Sequence, residues 1–171
     1  MSARRALALV AALLAAAPVA AGAQDAPRAP EVELRADALV GRRTTWHGGA
    51  GVTWPLGRYA RVGLVGAAGV TNVGGDERRT SGRAELVVRY VVDPSGGTGT
   101  RWYGGAGAGA LLVRGATGVA RAHVVVGADR PLAGRLRLGL EAGVGGGTRI
   151  GVVLRRGEES ESRHQVLGTR H

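Results

Sequence analysis

Arginine and carboxylate side chains recur at every second position along several apolar stretches of this 171-residue sequence. Paired charges of this kind could act as acid and base catalysts, or they could neutralise one another inside a fold. Six of them share one phase of the clearest alternating stretches: Arg35, Asp37, Glu85, Arg89, Arg137 and Glu141. Because a buried charge is tolerated mainly when it is paired, the pattern predicts an interior ion-pair network and not a catalytic pair.

A second group of arginines falls in the predicted connections between the alternating stretches. It consists of Arg42, Arg43, Arg78, Arg79 and Arg114. A guanidinium binds phosphate through two parallel hydrogen bonds. We therefore predict possible contacts with the phosphates of lipopolysaccharide, the alternative being that these charges only solvate exposed loops.

The remaining reactive residue types do not form a recognisable site. The histidines are His47, His123, His164 and His171, and their spacing matches no metal-ligand pattern. Beyond the predicted signal peptide the serines are Ser81, Ser95, Ser160 and Ser162, which are predicted to lie in turns or in the tail, away from any histidine. The segment 105–110 fits G-x-G-x-x-A, but no helix start follows it. We predict no catalytic residue, no metal site and no cofactor.

The stretches that carry these charges are predicted to be β-strands, because a period of two is the period of a strand. Eight are predicted, at residues 32–40, 48–54, 59–70, 83–92, 102–113, 119–128, 135–144 and 149–155. Turn-rich connections alternate between the two ends of the strands. Residues 55–57, 93–101 and 129–134 fall at one end, and residues 41–47, 71–82, 114–117 and 145–148 fall at the other.

The chain is predicted to begin with a targeting segment. Residues 1–23 have two arginines, an apolar run and a small-residue cleavage site, as in a secretory signal peptide. The apolar run is too short for a membrane helix, and no other segment is longer. A linker is predicted at 24–30, the folded domain at 31–156 and a polar tail at 157–171.

Composition narrows the class of fold. The chain has 31 glycines, no phenylalanine and no cysteine, so it offers neither a rich soluble core nor a disulfide framework. Its net charge is +10, and every cationic side chain is Arg. These arginines are spread along the chain and do not gather with aromatic residues, which argues against a nucleic-acid partner.

Three features favour a membrane barrel over a soluble one. Export supplies the compartment, and about ten residues per strand suits a tilted membrane strand. The third is that aromatic residues sit at predicted strand ends, where an interfacial girdle forms in outer-membrane barrels. These are Trp54, Tyr59, Tyr90, Trp102 and Tyr103. Glycines on the charged phase leave room for long arginine side chains inside an eight-stranded barrel.

Residues 31–156 resemble the small outer-membrane β-barrel family of the OmpX-like and OmpA amino-terminal type. The resemblance implies an all-β, eight-stranded, antiparallel up-and-down transmembrane barrel in the bacterial outer membrane. It further implies a non-catalytic structural or surface-interaction role, with outer-membrane lipid as partner and the protein partner unknown. The polar tail after Arg156 departs from the family pattern, in which the last strand ends in an aromatic residue. The alternatives are a soluble periplasmic β-barrel that binds a small apolar ligand, and an outer-membrane lipid-modifying enzyme.

Overall fold

A computed structural model describes residues 29–74, 77–92 and 99–156 of the chain. It contains eight β-strands: β1 (Glu31–Val40), β2 (Thr44–Leu56), β3 (Ala60–Gly74), β4 (Glu77–Val91), β5 (Arg101–Val113), β6 (Val119–Ala133), β7 (Leu136–Val144) and β8 (Thr148–Arg156). The predicted signal peptide and tail lie outside the described residues, as does most of the linker.

The strands form one closed antiparallel barrel in which each strand pairs with the next and β8 pairs with β1. The closing ladder runs from Val32 opposite Arg156 to Val40 opposite Thr148. Closure matters because it removes the two unpaired edges that an open sheet would present. The predicted eight-stranded up-and-down barrel is confirmed. The described residues include no helix of the length and apolarity needed to cross a membrane.

The two faces of the barrel wall are opposite in chemical character. Outward positions carry exposed apolar side chains such as Leu34, Val88, Leu140 and Ile150, which are between 50% and 66% exposed. The alternate positions face inward and hold most of the buried charges. The alternation of the sequence therefore translates directly into an apolar exterior and a charged interior.

Several strands are longer than predicted. The segment 71–82 was expected to be a loop, but β3 continues to Gly74 and β4 begins at Glu77, with one irregularity in their pairing between Asn72 and Gly74. The segments 41–47 and 129–134 were also expected to be connections, yet β2 begins at Thr44 and β6 continues to Ala133. Pairing with a neighbouring strand extends these segments even though glycine, proline and charge weaken their local strand signal.

The barrel has two ends. The terminal rim is the end at which β1 starts at Glu31 and β8 stops at Arg156. The distal rim is the opposite end, formed by the β1–β2, β3–β4, β5–β6 and β7–β8 connections. The connections that the structure describes throughout are two to five residues long, so the described barrel consists largely of its wall and its filled interior.

Candidate functional site

The interior of the barrel is an ion-pair network in which the buried charges balance. Among the described residues, five arginines and five carboxylates are buried. The arginines are Arg35, Arg83, Arg89, Arg149 and Arg155; the carboxylates are Glu33, Asp37, Glu85, Asp129 and Glu141. Equal numbers matter because an unpaired buried charge is strongly destabilising.

Arg35 is a hub at the centre of this network. Its guanidinium donates to Glu141 at 2.5 Å, and to Glu33 and Asp37 at 3.2 Å each. Three acceptors from two strands therefore surround one planar donor group, which suits the fork geometry of arginine. Lysine at this position would present a single ammonium and could not span the same acceptors.

Glu141 is the corresponding hub of negative charge. One of its oxygens accepts from Arg35 and from Arg149, each at 2.5 Å. Its other oxygen lies 3.6 Å from Arg89 and 3.7 Å from Arg155. Four guanidinium groups thus face a carboxylate whose side chain is fully buried.

Nearer the distal rim the network continues through Asp37 and Glu85. Arg83 donates two hydrogen bonds to Asp37, at 2.8 and 2.7 Å. Arg149 likewise holds both oxygens of Glu85, at 2.8 and 3.1 Å. The two hydrogen bonds to each carboxylate fix its orientation. Because Asp37 and Glu85 are each held in an ion pair, neither is suited to proton transfer.

Arg137 occupies a different place from the one predicted. Its guanidinium donates at 2.6 Å to Asp129 near the terminal rim, and no contact joins it to Asp37, Glu85 or Glu141. Asp129 was expected in a turn, but it is buried in β6 and also contacts Arg101 and Arg155. Asp129 shares the odd-numbered phase of Arg121 and His123, so extending the alternation past Gly127 would have identified it.

Tyr103 also differs from its predicted role. It was expected in the aromatic girdle, but it faces inward and is only 4% exposed. Its hydroxyl accepts from Arg155 at 3.1 Å, and the Arg155 guanidinium lies 4.7 Å from the centre of its ring. Tyr103 has the same phase as the inward glycines of β5, and this phase separates it from Trp102, which is 60% exposed.

A serine and a histidine that were expected to lie apart meet inside the barrel. Ser81 was assigned to a turn and His47 to a loop, but both are buried on strands, and Ser81 Oγ lies 3.1 Å from His47 Nε2. Gly69 of β3 separates them in the ladder, and its lack of a side chain lets the imidazole reach across. His47 Nδ1 lies 4.0 Å from Asp37 Oδ1, beyond hydrogen-bond range.

Small cavities remain between the interior side chains. One of about 30 Å³ lies in the distal half, where Glu85, Arg121, His123 and Arg149 contribute to its lining. Another of about 10 Å³ lies among charged residues near the terminal rim. The larger space can hold about two water molecules and the smaller about one. Ser81 and His47 line neither cavity.

The five arginines predicted to contact lipopolysaccharide do not all lie in loops. Arg42 and Arg43 are in the β1–β2 connection and Arg114 directly follows β5, but Arg78 and Arg79 belong to β4. Arg79 pairs with Glu77 at 2.8 Å. Arg42, Arg43, Arg78 and Arg114 are exposed at the distal rim.

No group of three or more His, Asp or Glu side chains in the described ranges is arranged to hold a metal ion. His123 Nδ1 lies 3.9 Å from Glu85, and its Nε2 is buried against the backbone near Gly107, where none of the described residues forms a hydrogen bond with it. The interior is thus built for mutual neutralisation of fixed charges.

Comparison with known proteins supports the fold. No family model and no curated protein matches the chain. Among solved structures, the chain is similar to a de novo designed transmembrane β-barrel, with a TM-score of 0.50, 16% identity, and coverage of 78% of this chain and 98% of that one. It is also similar to the N-terminal β-barrel domain of Pseudomonas aeruginosa OprF, with a TM-score of 0.50, 13% identity, and coverage of 73% and 96%. The predicted resemblance to small outer-membrane barrels is confirmed at the level of the fold.

Proposed function

We propose that this protein is a non-catalytic barrel of the bacterial outer membrane, with a structural or surface-interaction role. The observation that carries the proposal is the polarity of the closed barrel, apolar outside and charged inside. A soluble barrel needs the reverse arrangement, because its interior must exclude water while its exterior is wetted. In lipid the exposed leucines and valines of this wall would be buried.

The apolar wall has the height of a membrane. On β4, outward side chains run from Thr80 at the distal side to Tyr90 near the terminal rim. At roughly 3.4 Å per residue this separation is about 34 Å along the strand, or about 26 Å across the membrane at a tilt near 40°. Outer-membrane barrels carry an apolar band of about 25 Å.

Exposed aromatic side chains mark one boundary of this band. Trp54, Tyr59, Tyr90 and Trp102 all lie near the terminal rim, and the rings of Tyr59 and Tyr90 are stacked 5.7 Å apart. Amphipathic rings favour the interface between lipid tails and water. With both ends of the barrel domain at this rim, export would leave it on the periplasmic side and the distal rim on the cell surface.

The filled interior supports a role at the surfaces of the barrel. Ion pairs occupy the lumen from Asp129 near the terminal rim to Asp37 and Glu85 nearer the distal rim, and the described cavities are of water size. A soluble carrier of a small apolar ligand would need an apolar cavity of about 300 Å³ or more. The wall and the rims are therefore the parts of the molecule available to partners.

Cell fractionation tests the proposal. The full chain should be exported and recovered in the outer-membrane pellet, and it should migrate differently on cold electrophoresis before and after boiling, as a detergent-stable barrel does. Recovery of folded protein in the soluble periplasmic fraction would refute membrane residence and favour the soluble alternative.

A second candidate function is a serine hydrolase, and the contact between Ser81 and His47 favours it. Nucleophilic catalysis needs a hydroxyl within hydrogen-bond reach of a base, and this pair meets that requirement. Against it, both side chains are buried, and Asp37 is engaged by Arg83 and lies too far from His47 to orient it. The arrangement resembles a triad in composition but offers no space for a substrate.

A fluorophosphonate probe separates the two candidates. On the non-catalytic proposal, the folded wild-type barrel should be labelled no more than the Ser81→Ala variant. Labelling of the wild type that is lost in Ser81→Ala and in His47→Gln would establish an activated serine. Ser160 and Ser162, which both proteins retain, provide the internal measure of background reaction.

A further inference from the structure

Two outward-facing arginines lie together on one side of the distal rim. On β4, Arg78 and Thr80 share the phase of the exposed apolar residues, and Arg78 stands opposite Asn72 of β3. The backbone N–H of Arg114 donates to the carbonyl of Thr80 at 2.9 Å, which holds Arg114 beside β4. Both guanidinium stems therefore leave the same part of the wall, directly above the apolar band.

These two charges are not neutralised within the described part of the chain. Their inward-phase neighbour Arg79 pairs with Glu77, but neither Arg78 nor Arg114 forms an ion pair with a described carboxylate. Thr80, whose carbonyl holds Arg114 and which follows Arg78 by two residues, is also exposed. An anion approaching along the outer surface would meet two guanidinium groups that no described carboxylate neutralises, and together they suit a phosphate group.

The wall of β3 and β4 below Arg78 has few projecting side chains, whereas Leu112 of β5 lies outward below Arg114, stands opposite Gly82 and bounds this small-residue patch on one side. On β4 the next outward residues are Gly82 and Ala84, which stand opposite Ala68 and Gly66 of β3. On the other side, Ala84 stands opposite Ala110 of β5. A patch of glycine and alanine two to three strands wide is thus recessed relative to the larger side chains around it, and an extended acyl chain could lie flat against it.

The opposite side of the barrel lacks this combination. There the distal ends of β7 and β8 are Val144 and Thr148, joined by three glycines, and no outward arginine accompanies them. The wall below is made of large side chains such as Leu140, Ile150 and Val152. At the distal rim of the described chain, an outward arginine within a strand lies above a recessed apolar track on the β3–β4 side, whereas Arg42 and Arg43 lie in the β1–β2 connection.

We propose that this surface binds a phosphorylated, acylated glycolipid of the lipid A type. Arg78 and Arg114 bind a phosphate of its head group, and one acyl chain lies along the track from Gly82 to Ala84. The assignment rests on the proposed function, since it requires the distal rim to be at the outer leaflet. The choice of ligand follows from the position of the two arginines, which could bind a phosphate, directly above a small-residue wall that could contact an acyl chain.

Binding of lipid A to the barrel in phosphatidylcholine nanodiscs tests the proposal. The variant R78Q/R114Q should bind lipid A about 30-fold more weakly than the wild type. Each arginine near a lipid surface contributes about 1 kcal/mol, and the variant loses two of them. The matched control is R130Q/R156Q, which removes two exposed arginines at the terminal rim. That control should bind as the wild type does, because its charges lie at the other leaflet.

Two further probes identify the ligand chemistry. Dephosphorylated lipid A should bind R78Q/R114Q and wild type equally weakly, and inorganic phosphate should compete poorly because it has no acyl chain. Full displacement of lipid A by inorganic phosphate would overturn the glycolipid assignment and leave a simple anion site.

The acyl track has its own test. Ala84→Leu places a larger side chain on the track, and it should weaken lipid A binding without affecting the fold, because Ala84 faces outward. Ala142→Leu, the same change on β7, is the control and should bind normally. Failure of the wild type to enter nanodiscs would count against the proposed function. An inserted barrel whose lipid A binding is unchanged by R78Q/R114Q would overturn this inference alone.

Discussion

At the scale of single residues, the interior is held by charges that each serve several partners. Arg35 contacts three carboxylates, and Glu141 faces four guanidinium groups. Desolvating so many charges is costly, and the cost is offset only when every charge keeps its counterions. Because the buried arginines and carboxylates are equal in number, the loss of any one leaves a net charge in the lumen.

This balance predicts a large effect for a small change at Glu141. Glu141→Gln preserves volume but leaves Arg35 and Arg149 short of a counterion, so it should destabilise the barrel by about 3 to 5 kcal/mol. The control is Glu77→Gln at the exposed Arg79 pair, which should cost less than about 1 kcal/mol. Urea unfolding of both variants in lipid vesicles measures the difference, and equal midpoints would contradict a balanced network.

At the scale of elements, the middle of β5 is notable for inward positions that carry no side chain. Its inward positions Gly105, Gly107 and Gly109 let the side chains of Arg89, His123 and Glu85 lie directly over the backbone. A Cβ at Gly107 would lie 2.7 Å from the imidazole Nε2 of His123, and one at Gly109 would lie 2.8 Å from Glu85 Cγ. Between Gly105 and Gly109 the strand therefore contributes space to the network, and its contacts come from Arg101 and Tyr103 near the terminal rim.

Substitution of neighbouring positions on β5 should separate the two faces. Gly107→Val overfills the lumen against His123, so we expect at least about 1 to 3 kcal/mol of destabilisation and a lower folding yield. Ala108→Val adds similar bulk on the outward face, where lipid can accommodate it, and should be neutral. Refolding into detergent, followed by cold electrophoresis, compares the two. A well-folded Gly107→Val would show that the interior is more loosely packed than the structure indicates.

The sequence predicts strands well where charge and apolar residues alternate strictly, as in β1 and β7. It underestimates β2, β3 and β6 because glycine, proline and charge near their ends remove the local signal, while cross-strand pairing supplies the missing hydrogen bonds. Which side chains face the interior could be predicted from the alternation of residues along each strand. Individual partners could not, because the contact between Arg137 and Asp129 and that between Ser81 and His47 depend on register across strands.

The outward face of β7 gives a test of membrane depth. Leu140 is 66% exposed and stands between Ala128 and Val152, well inside the apolar band. Leu140→Arg should therefore cost about 2 to 4 kcal/mol on insertion, whereas Leu132→Arg near the terminal rim should cost about 0 to 1 kcal/mol. The folded fraction in lipid vesicles measures both. Equal tolerance would mean that β7 does not face lipid.

At the scale of the whole molecule, charge is divided between a neutral lumen and positive rims. The buried arginines and carboxylates cancel, so the excess positive charge of the described residues lies at the two ends of the barrel. At the distal rim Arg42, Arg43, Arg78 and Arg114 are exposed, and at the terminal rim Arg58, Arg130 and Arg156 are exposed. The interior accounts for stability, and the rims are free to meet anionic surfaces.

The closed and neutralised lumen predicts that the barrel conducts no appreciable ion current. Eight strands leave an interior only wide enough for side chains, and here Arg35, Glu141 and Arg149 meet across it at 2.5 Å. An ion would have to break these contacts to pass. The wild-type protein in planar bilayers should therefore give no stable single-channel steps, and Glu141→Gln should give at most brief, irregular openings as its arginines lose their counterion. Reproducible conductance from the wild-type monomer would contradict a packed interior and would require a wider or oligomeric pore.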